Sequence, residues 1–290
     1  MQALYNKSRG FTIVELVVVV SVLGILMGVV LNTLGDFYQS NTTSLGQTNQ
    51  DTDTRGVMRS IENELTNTTG FSANFSITPT TSFTPLGSKN DSTAWSYLGN
   101  DSAKPNNRVL IAGAYATDKA ATDDTRTLVY TDTGAGCSDV STATKVKNTY
   151  IYFAAKDSNN QYNLYRRTIV NTTGGTLCKP PYCSLAHCKA PYQTQTCAAS
   201  LVSLNPTKCS GADAILLKNI DTFTVDYWSA PNDASNYTLA YNTDTAVVSQ
   251  AARESAINAA SSIKITATTT QLINGKSTTN SASLRITKPY

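Results

Sequence analysis

From Phe11 to Leu31 the chain runs for 21 residues with a single charged side chain, Glu15. As a helix rising about 1.5 Å per residue, such a run is roughly 30 Å long, the thickness of a bilayer's hydrocarbon core. An unbroken apolar helix of this length demands lipid or other helices around it, so this segment constrains the fold before anything else does. Lys7 and Arg9 precede it, and the positive-inside rule then keeps the first ten residues cytoplasmic and exports the chain beyond the apolar run. A secretory signal would have a shorter apolar core followed by a small-x-small cleavage site. Here the run continues through "GVVLNTLG", so any processing signal lies ahead of it. Glu15 is the anomaly. A carboxylate inside hydrocarbon costs roughly 2.5–3.5 kcal/mol on insertion scales and is expected to have a partner.

Gly10 followed by Phe11-Thr12-Ile13-Val14-Glu15-Leu16 resembles the type IV prepilin signal shared by type IV pilins and type II secretion pseudopilins. The resemblance implies cleavage after Gly10 by a membrane prepilin peptidase and methylation of the new amino group on Phe11. It also implies an assembly role for Glu15, alongside other pilins and a membrane assembly platform, with the exported part ending in a pilus or pseudopilus. A Glu15 carboxylate on one subunit and a Phe11 ammonium on its neighbour neutralise each other. Either alone is an unpaired charge in hydrocarbon, at a cost of several kcal/mol. An ordinary single-span anchor carrying a stray acid is the alternative. Gly24 and Gly28 form a Gly-xxx-Gly pattern that lets helices approach closely. The family often has a proline near position 32, where this chain has Asn32, so no kink is expected there.

No proline interrupts Leu31 to Thr68, and the helix is expected to continue outside the bilayer. Val57, Met58, Ile61 and Leu65 recur at helical spacing as one apolar face, with Arg55, Arg59, Glu62 and Glu64 assigned to other faces. The stretch from Gly46 to Gly56 has no apolar side chain. It reads as a polar helix bridging membrane and head or as a frayed linker, and a continuous helix is the favoured reading. Asn67 to Gly70 is expected to end it, with Gly70 as the terminating residue. Beyond Gly70 the period alternates. Arg108–Tyr115 and Arg126–Thr133 read as strands, and residues 148–170 as a hairpin turning at Lys156–Asn160. Ala214–Trp228 reads as a strand with Phe223, Val225 and Tyr227 on one face, and the closing hairpin turns at Asn274-Gly275. The expected fold is α+β: a long, partly transmembrane N-terminal helix packed on an antiparallel β-sheet head with a cysteine-rich loop insertion. The divisions are a leader at 1–10, a membrane segment at 11–32, a helix extension at 33–68 and a head at 69–290, with the insertion at 177–210. The order of helix, "NLYRR" hairpin, "LLKNIDTFTVDY" and terminal "IKITATT" strand resembles PilW-type minor pilins and J-type pseudopilins. That resemblance implies a position at or near a filament tip.

Cys137, Cys178, Cys183, Cys188, Cys197 and Cys209 make an even count in an exported chain, which favours a disulfide framework with 15 possible connectivities. Free thiols and a zinc site using Cys183, His187 and Cys188 are the alternatives, the latter without a Cys-x-x-Cys knuckle. Tyr182 and Tyr192 among these cysteines offer a contact surface for a partner, unless the bridges merely brace a long loop. Losing Lys7 and Arg9 leaves 21 basic against 20 acidic residues, a balance that gives no electrostatic case for nucleic acid. No nucleophile–base set, Gly-x-Ser-x-Gly or phosphate loop is present. Asp157-Ser158-Asn159-Asn160 reads as a turn before it reads as a calcium loop. The reading is therefore a structural subunit without cofactor or metal: a minor pilin or pseudopilin. A tip adhesin, a DNA-capturing competence pilin and an anchored exported enzyme are the rivals.

Overall fold

In a computed structural model, the described residues are 12–76, 94–97, 109–131, 143–170, 190–203, 209–229, 238–241 and 249–288. Helix α1, Ile13–Leu65, is one uninterrupted helix of 53 residues. Within and beside the polar stretch, hydroxyls bond back along the helix. Thr43, Thr48 and Thr52 donate to the carbonyls of Gln39, Ser44 and Thr48 at 2.7–2.9 Å, a local bond compatible with helical backbone.

The chain then builds β1 (Thr68–Ser72), β2 (Asn74–Ser76), β3 (Ala94–Ser96), β4 (Val109–Tyr115), β5 (Tyr130–Thr131) and β6 (Thr144–Lys145). It continues through β7 (Lys147–Lys156), β8 (Tyr162–Val170), β9 (Thr196–Cys197), α2 (Ala199–Val202), β10 (Gly211–Ala212) and β11 (Ala214–Leu217). Last come β12 (Ile220–Ser229), β13 (Thr238–Tyr241), α3 (Gln250–Asn258), β14 (Ser262–Ile273) and β15 (Lys276–Thr287). Two sheets carry the head, with orders β1-β4-β7-β8-β11 and β13-β12-β14-β15. Every pairing within both is antiparallel. The α+β expectation holds.

Three local readings are corrected. Gly70 does not end the helix, which is capped at Thr66. It lies in β1 at φ 153°, where the register against β4 slips between Thr68 and Gly70, a bulge that favours a residue without Cβ. Among its described residues, 126–131, the segment Arg126–Thr133 contributes the short β5 and a bridge from Leu128 to Thr117. Its Val129 packs with Ala116 and Val146 in a small satellite cluster, too little apolar surface to extend a sheet. Ala214–Trp228 is two strands. Asn219 adopts φ 55°, so β11 joins β8 in the first sheet and β12 joins β14 in the second. Asn tolerates this left-handed conformation better than most side chains, and the chain changes sheets there.

The main core lies between the two sheets and the C-terminal part of α1. Met58, Ile61 and Leu65 meet Leu110, Tyr152 and Leu164 of the first sheet and Phe223, Val225, Ile263 and Ile265 of the second. A second cluster covers the other face of the first sheet: Trp95, Val109, Ile111, Ile151, Phe153 and Ile169 with Cys197 and Cys209. With both faces covered, β7 reads as the near-continuous apolar run "YIYFAA" rather than a simple alternation. The two main hairpins turn where expected, with Asn160 at φ 63° and Asn274 and Gly275 at φ 52° and 75°. The last two match a type I′ turn.

Candidate functional site in the N-terminal helix

Helix α1 begins with a reciprocal cap. Glu15 N donates to Thr12 Oγ1 at 3.3 Å, while Thr12 N and Thr12 Oγ1 donate to Glu15 Oε2 at 2.9 and 3.0 Å. This capping box satisfies helix-terminal groups that lipid could not solvate. The pattern Thr-x-x-Glu is legible in the sequence, where the cost of a charge in hydrocarbon draws attention to an outside partner and away from the cap. Both bonds to the carboxylate fall on Oε2. Gly10 and Phe11 lie outside the described residues.

Fifteen large apolar side chains between Ile13 and Leu31 are at least half exposed. Burying them in lipid or against other helices is favourable by something on the order of 20 kcal/mol. The helix is long and apolar enough to cross a membrane. Two hydroxyls along this part of the helix are satisfied within it: Ser21 Oγ donates to Val17 O at 2.8 Å and Thr33 Oγ1 to Val29 O at 2.7 Å. Gly24 and Gly28 have nothing within 4 Å of where a Cβ would stand.

The head takes hold of α1 well above the apolar run. At the β14–β15 turn, Asn274 Nδ2 donates to Thr42 Oγ1 and lies 3.4 Å from Gln39 O. A Cβ on Gly46 would collide with Ile273, so the hairpin packs into a notch on the helix. Gln50, 4% exposed, donates through Nε2 to Thr269 O at 3.0 Å and Thr269 Oγ1 at 2.7 Å, and its Oε1 lies 3.5 Å from Thr278 Oγ1. Thr54, fully buried, returns its hydroxyl to Gln50 O at 2.7 Å. The stretch without apolar side chains is thus no bridge to the head: its inner face is already docked, through hydrogen bonds.

Glu64, assigned to a face other than the apolar one, points into the first sheet. Tyr152 donates to its Oε2 at 2.7 Å, and Arg166 pairs with its Oε1. Burial pushes the Tyr152 hydroxyl well above its usual pKa range, so it stays protonated and keeps donating. From Gln39 to Leu65 the helix is therefore docked on the head, while the preceding 26 residues of α1, about 39 Å of helix, make no such bond to it among the described residues.

Of the six cysteines, Cys197 and Cys209 form a disulfide with Cα atoms 5.7 Å apart. Cys137, Cys178, Cys183 and Cys188 lie outside the described residues, as do His187 and Tyr182. The bridge is buried beside Trp95 rather than displayed, so it packs the back of the first sheet. Tyr192 is 60% exposed, with its backbone N–H held by Thr117 O at 2.8 Å. At the calcium-like turn, Asp157 Oδ1 accepts from Asn159 N at 2.8 Å and Gln161 N at 3.0 Å. Its oxygens are engaged in building the turn.

Residues 5–31 match the family model described as the prokaryotic N-terminal methylation motif. No curated protein and no solved structure matches the chain. The motif is that of type IV pilin-like proteins, consistent with the pilin and pseudopilin superfamily, and it supports processing of the chain as a prepilin. That motif family is structural rather than enzymatic. The motif and the exposed apolar helix together point to a membrane-anchored protein with a single span.

Proposed function

We propose that this chain is a minor subunit of a type IV pilus or type II secretion pseudopilus. Prepilin peptidase cuts after Gly10, removing the leader at 1–10, and methylates Phe11. The segment 11–32 then holds the subunit in the cytoplasmic membrane with the leader side inward, while the extension at 33–68 and the head at 69–290 are exported. An assembly platform and motor proteins lift it into a filament, where Glu15 of one subunit meets the Phe11 amine of another and Gly24 and Gly28 lie against a neighbouring helix.

One observation carries this reading. The methylation motif at residues 5–31 overlaps the first part of α1, whose far end is clamped to an antiparallel head. A rigid helix of this kind transmits any register set at Glu15 directly to the position of the head, which a flexible linker would not do. Mass spectrometry of the protein extracted from membranes is the test. The expected species begins at Phe11 and carries one N-methyl group. Intact chains that retain Met1, beside processed companions from the same filament, would overturn the proposal.

A further inference from the structure

Behind the first sheet lies a buried charge pair with no part in the assembly reading. Arg167 on β8 is 3% exposed. Its Nε lies 3.0 and 3.1 Å from Asp213 Oδ1 and Oδ2, and its Nη2 2.6 Å from Oδ2. The guanidinium stands 5.2 Å from the Trp95 ring centroid and 5.8 Å from that of Phe153. Thr196 on β9 completes the site: its hydroxyl donates to Asp213 Oδ1 at 3.0 Å and accepts from Thr168 N at 2.9 Å.

Asp213 reaches this place on a segment closed by the Cys197–Cys209 bridge. Asp213 N donates to Cys197 O at 2.7 Å, and Ser210 N donates to Gln195 O at 2.9 Å. The two segments run as the short parallel pair β9–β10, with Thr196 opposite Gly211 and Cys197 opposite Ala212. A two-residue parallel pair is weak by itself. The covalent link ties the segment carrying Thr196 to the one carrying Asp213, beside the β11–β8 ladder in which Ala214 stands opposite Arg166.

We infer that the Cys197–Cys209 disulfide acts as a redox-dependent fastener for the Arg167–Asp213 pair, so that the back of the head closes only after oxidation. A guanidinium left in that apolar site without its carboxylate is strongly unfavourable. In the reduced chain it would turn outward and draw the Trp95 face open with it. Closing the bond takes two electrons and two protons from the Cys197 and Cys209 thiols. They pass to an oxidised dithiol catalyst of the exported compartment, whose own disulfide becomes two thiols. Head closure would then report that the segment has crossed the membrane, whichever filament the subunit enters.

The experiment compares four full-length chains in detergent: the parent, Cys197→Ala with Cys209→Ala, Arg167→Met with Asp213→Leu, and all four changes together. Selective substitution leaves the other four cysteines intact. Hydrogen exchange at the amides of Leu164–Val170 reads the opening of this face. If the bridge works through the charge pair, removing it speeds exchange in the parent background at least about fivefold more than in the Met/Leu background, a coupling typical of directly interacting groups. Equal acceleration in both backgrounds would overturn the inference and leave the bridge as a loop constraint. No acceleration in the parent would overturn it as well. Both outcomes are independent of whether the protein is processed at Gly10.

Discussion

Replacing Glu15 by glutamine separates two tasks open to its carboxylate. Within the chain, Glu15 closes the first turn of α1 through Thr12. Glutamine at this position of a capping box can make the same return bond, so Glu15→Gln leaves the cap in place. Glu15→Leu removes the return bonds from Thr12 N and Oγ1 and keeps only the residue-15 amide on Thr12 Oγ1, at a cost of about 1 kcal/mol, or roughly fivefold in any equilibrium that depends on that turn. In the proposed filament, either substitution strands the amine of a neighbouring Phe11. Breaking a buried ion pair on one side costs about 3–5 kcal/mol, which is more than about 100-fold. The two variants are therefore expected to insert into the membrane like the parent and to be depleted alike from sheared filaments, with glutamine no better than leucine. Quantifying the subunit in membrane and filament fractions is the assay. Incorporation of the Glu15→Gln chain at the parental level would refute the pairing argument and leave Glu15 as a helix cap.

Two further expectations concern the head. Gln50→Ala removes the donor to Thr269 and the partner of Thr278 inside the seam, leaving buried polar groups unsatisfied, and should lower stability by about 2–3 kcal/mol in denaturant unfolding of the detergent-solubilised chain; a loss below about 0.5 kcal/mol would count against the seam. The backbone N–H of Gln161, followed by that of Asn159, holds the Asp157 carboxyl below its usual range, so its contribution is present above the ordinary carboxylate pKa and is lost as pH falls through the lowered one. Protection of the β7–β8 turn amides, relative to their intrinsic exchange rates, should fall below about pH 4, and Asp157→Asn should flatten that dependence.

Some of this architecture is legible residue by residue. Asn274-Gly275 demands a tight turn because both residues take positive φ readily, and β14 and β15 then pair from Ile273–Lys276 to Ser262–Thr287 without a slip. Val57, Met58, Ile61 and Leu65 announce the docking face of α1 through their spacing alone. Polar docking leaves no such trace. Gln50 and Thr54 look like solvent-facing residues in any periodicity argument, because hydrophobic patterning is blind to a face that is satisfied by hydrogen bonds to Thr269 and Thr278 more than 200 residues away. Glu64 is illegible for the same reason: its partners, Tyr152 and Arg166, arrive from a distant hairpin.

The sequence alone determined features that are local in origin. The 21-residue apolar run, the Thr12–Glu15 cap, the processing motif and the turn residues all arise from side chains within a few positions of one another, where covalent spacing dictates the geometry. The tertiary structure decided everything that depends on which distant segments meet. It split Ala214–Trp228 between two sheets at Asn219, chose Cys209 as the partner of Cys197, set Asp213 on Arg167 and closed the head on the polar flank of the helix. These choices reflect the burial of shared apolar surface and the demand that each enclosed polar group find a partner, and neither condition can be evaluated until the chain has folded back on itself.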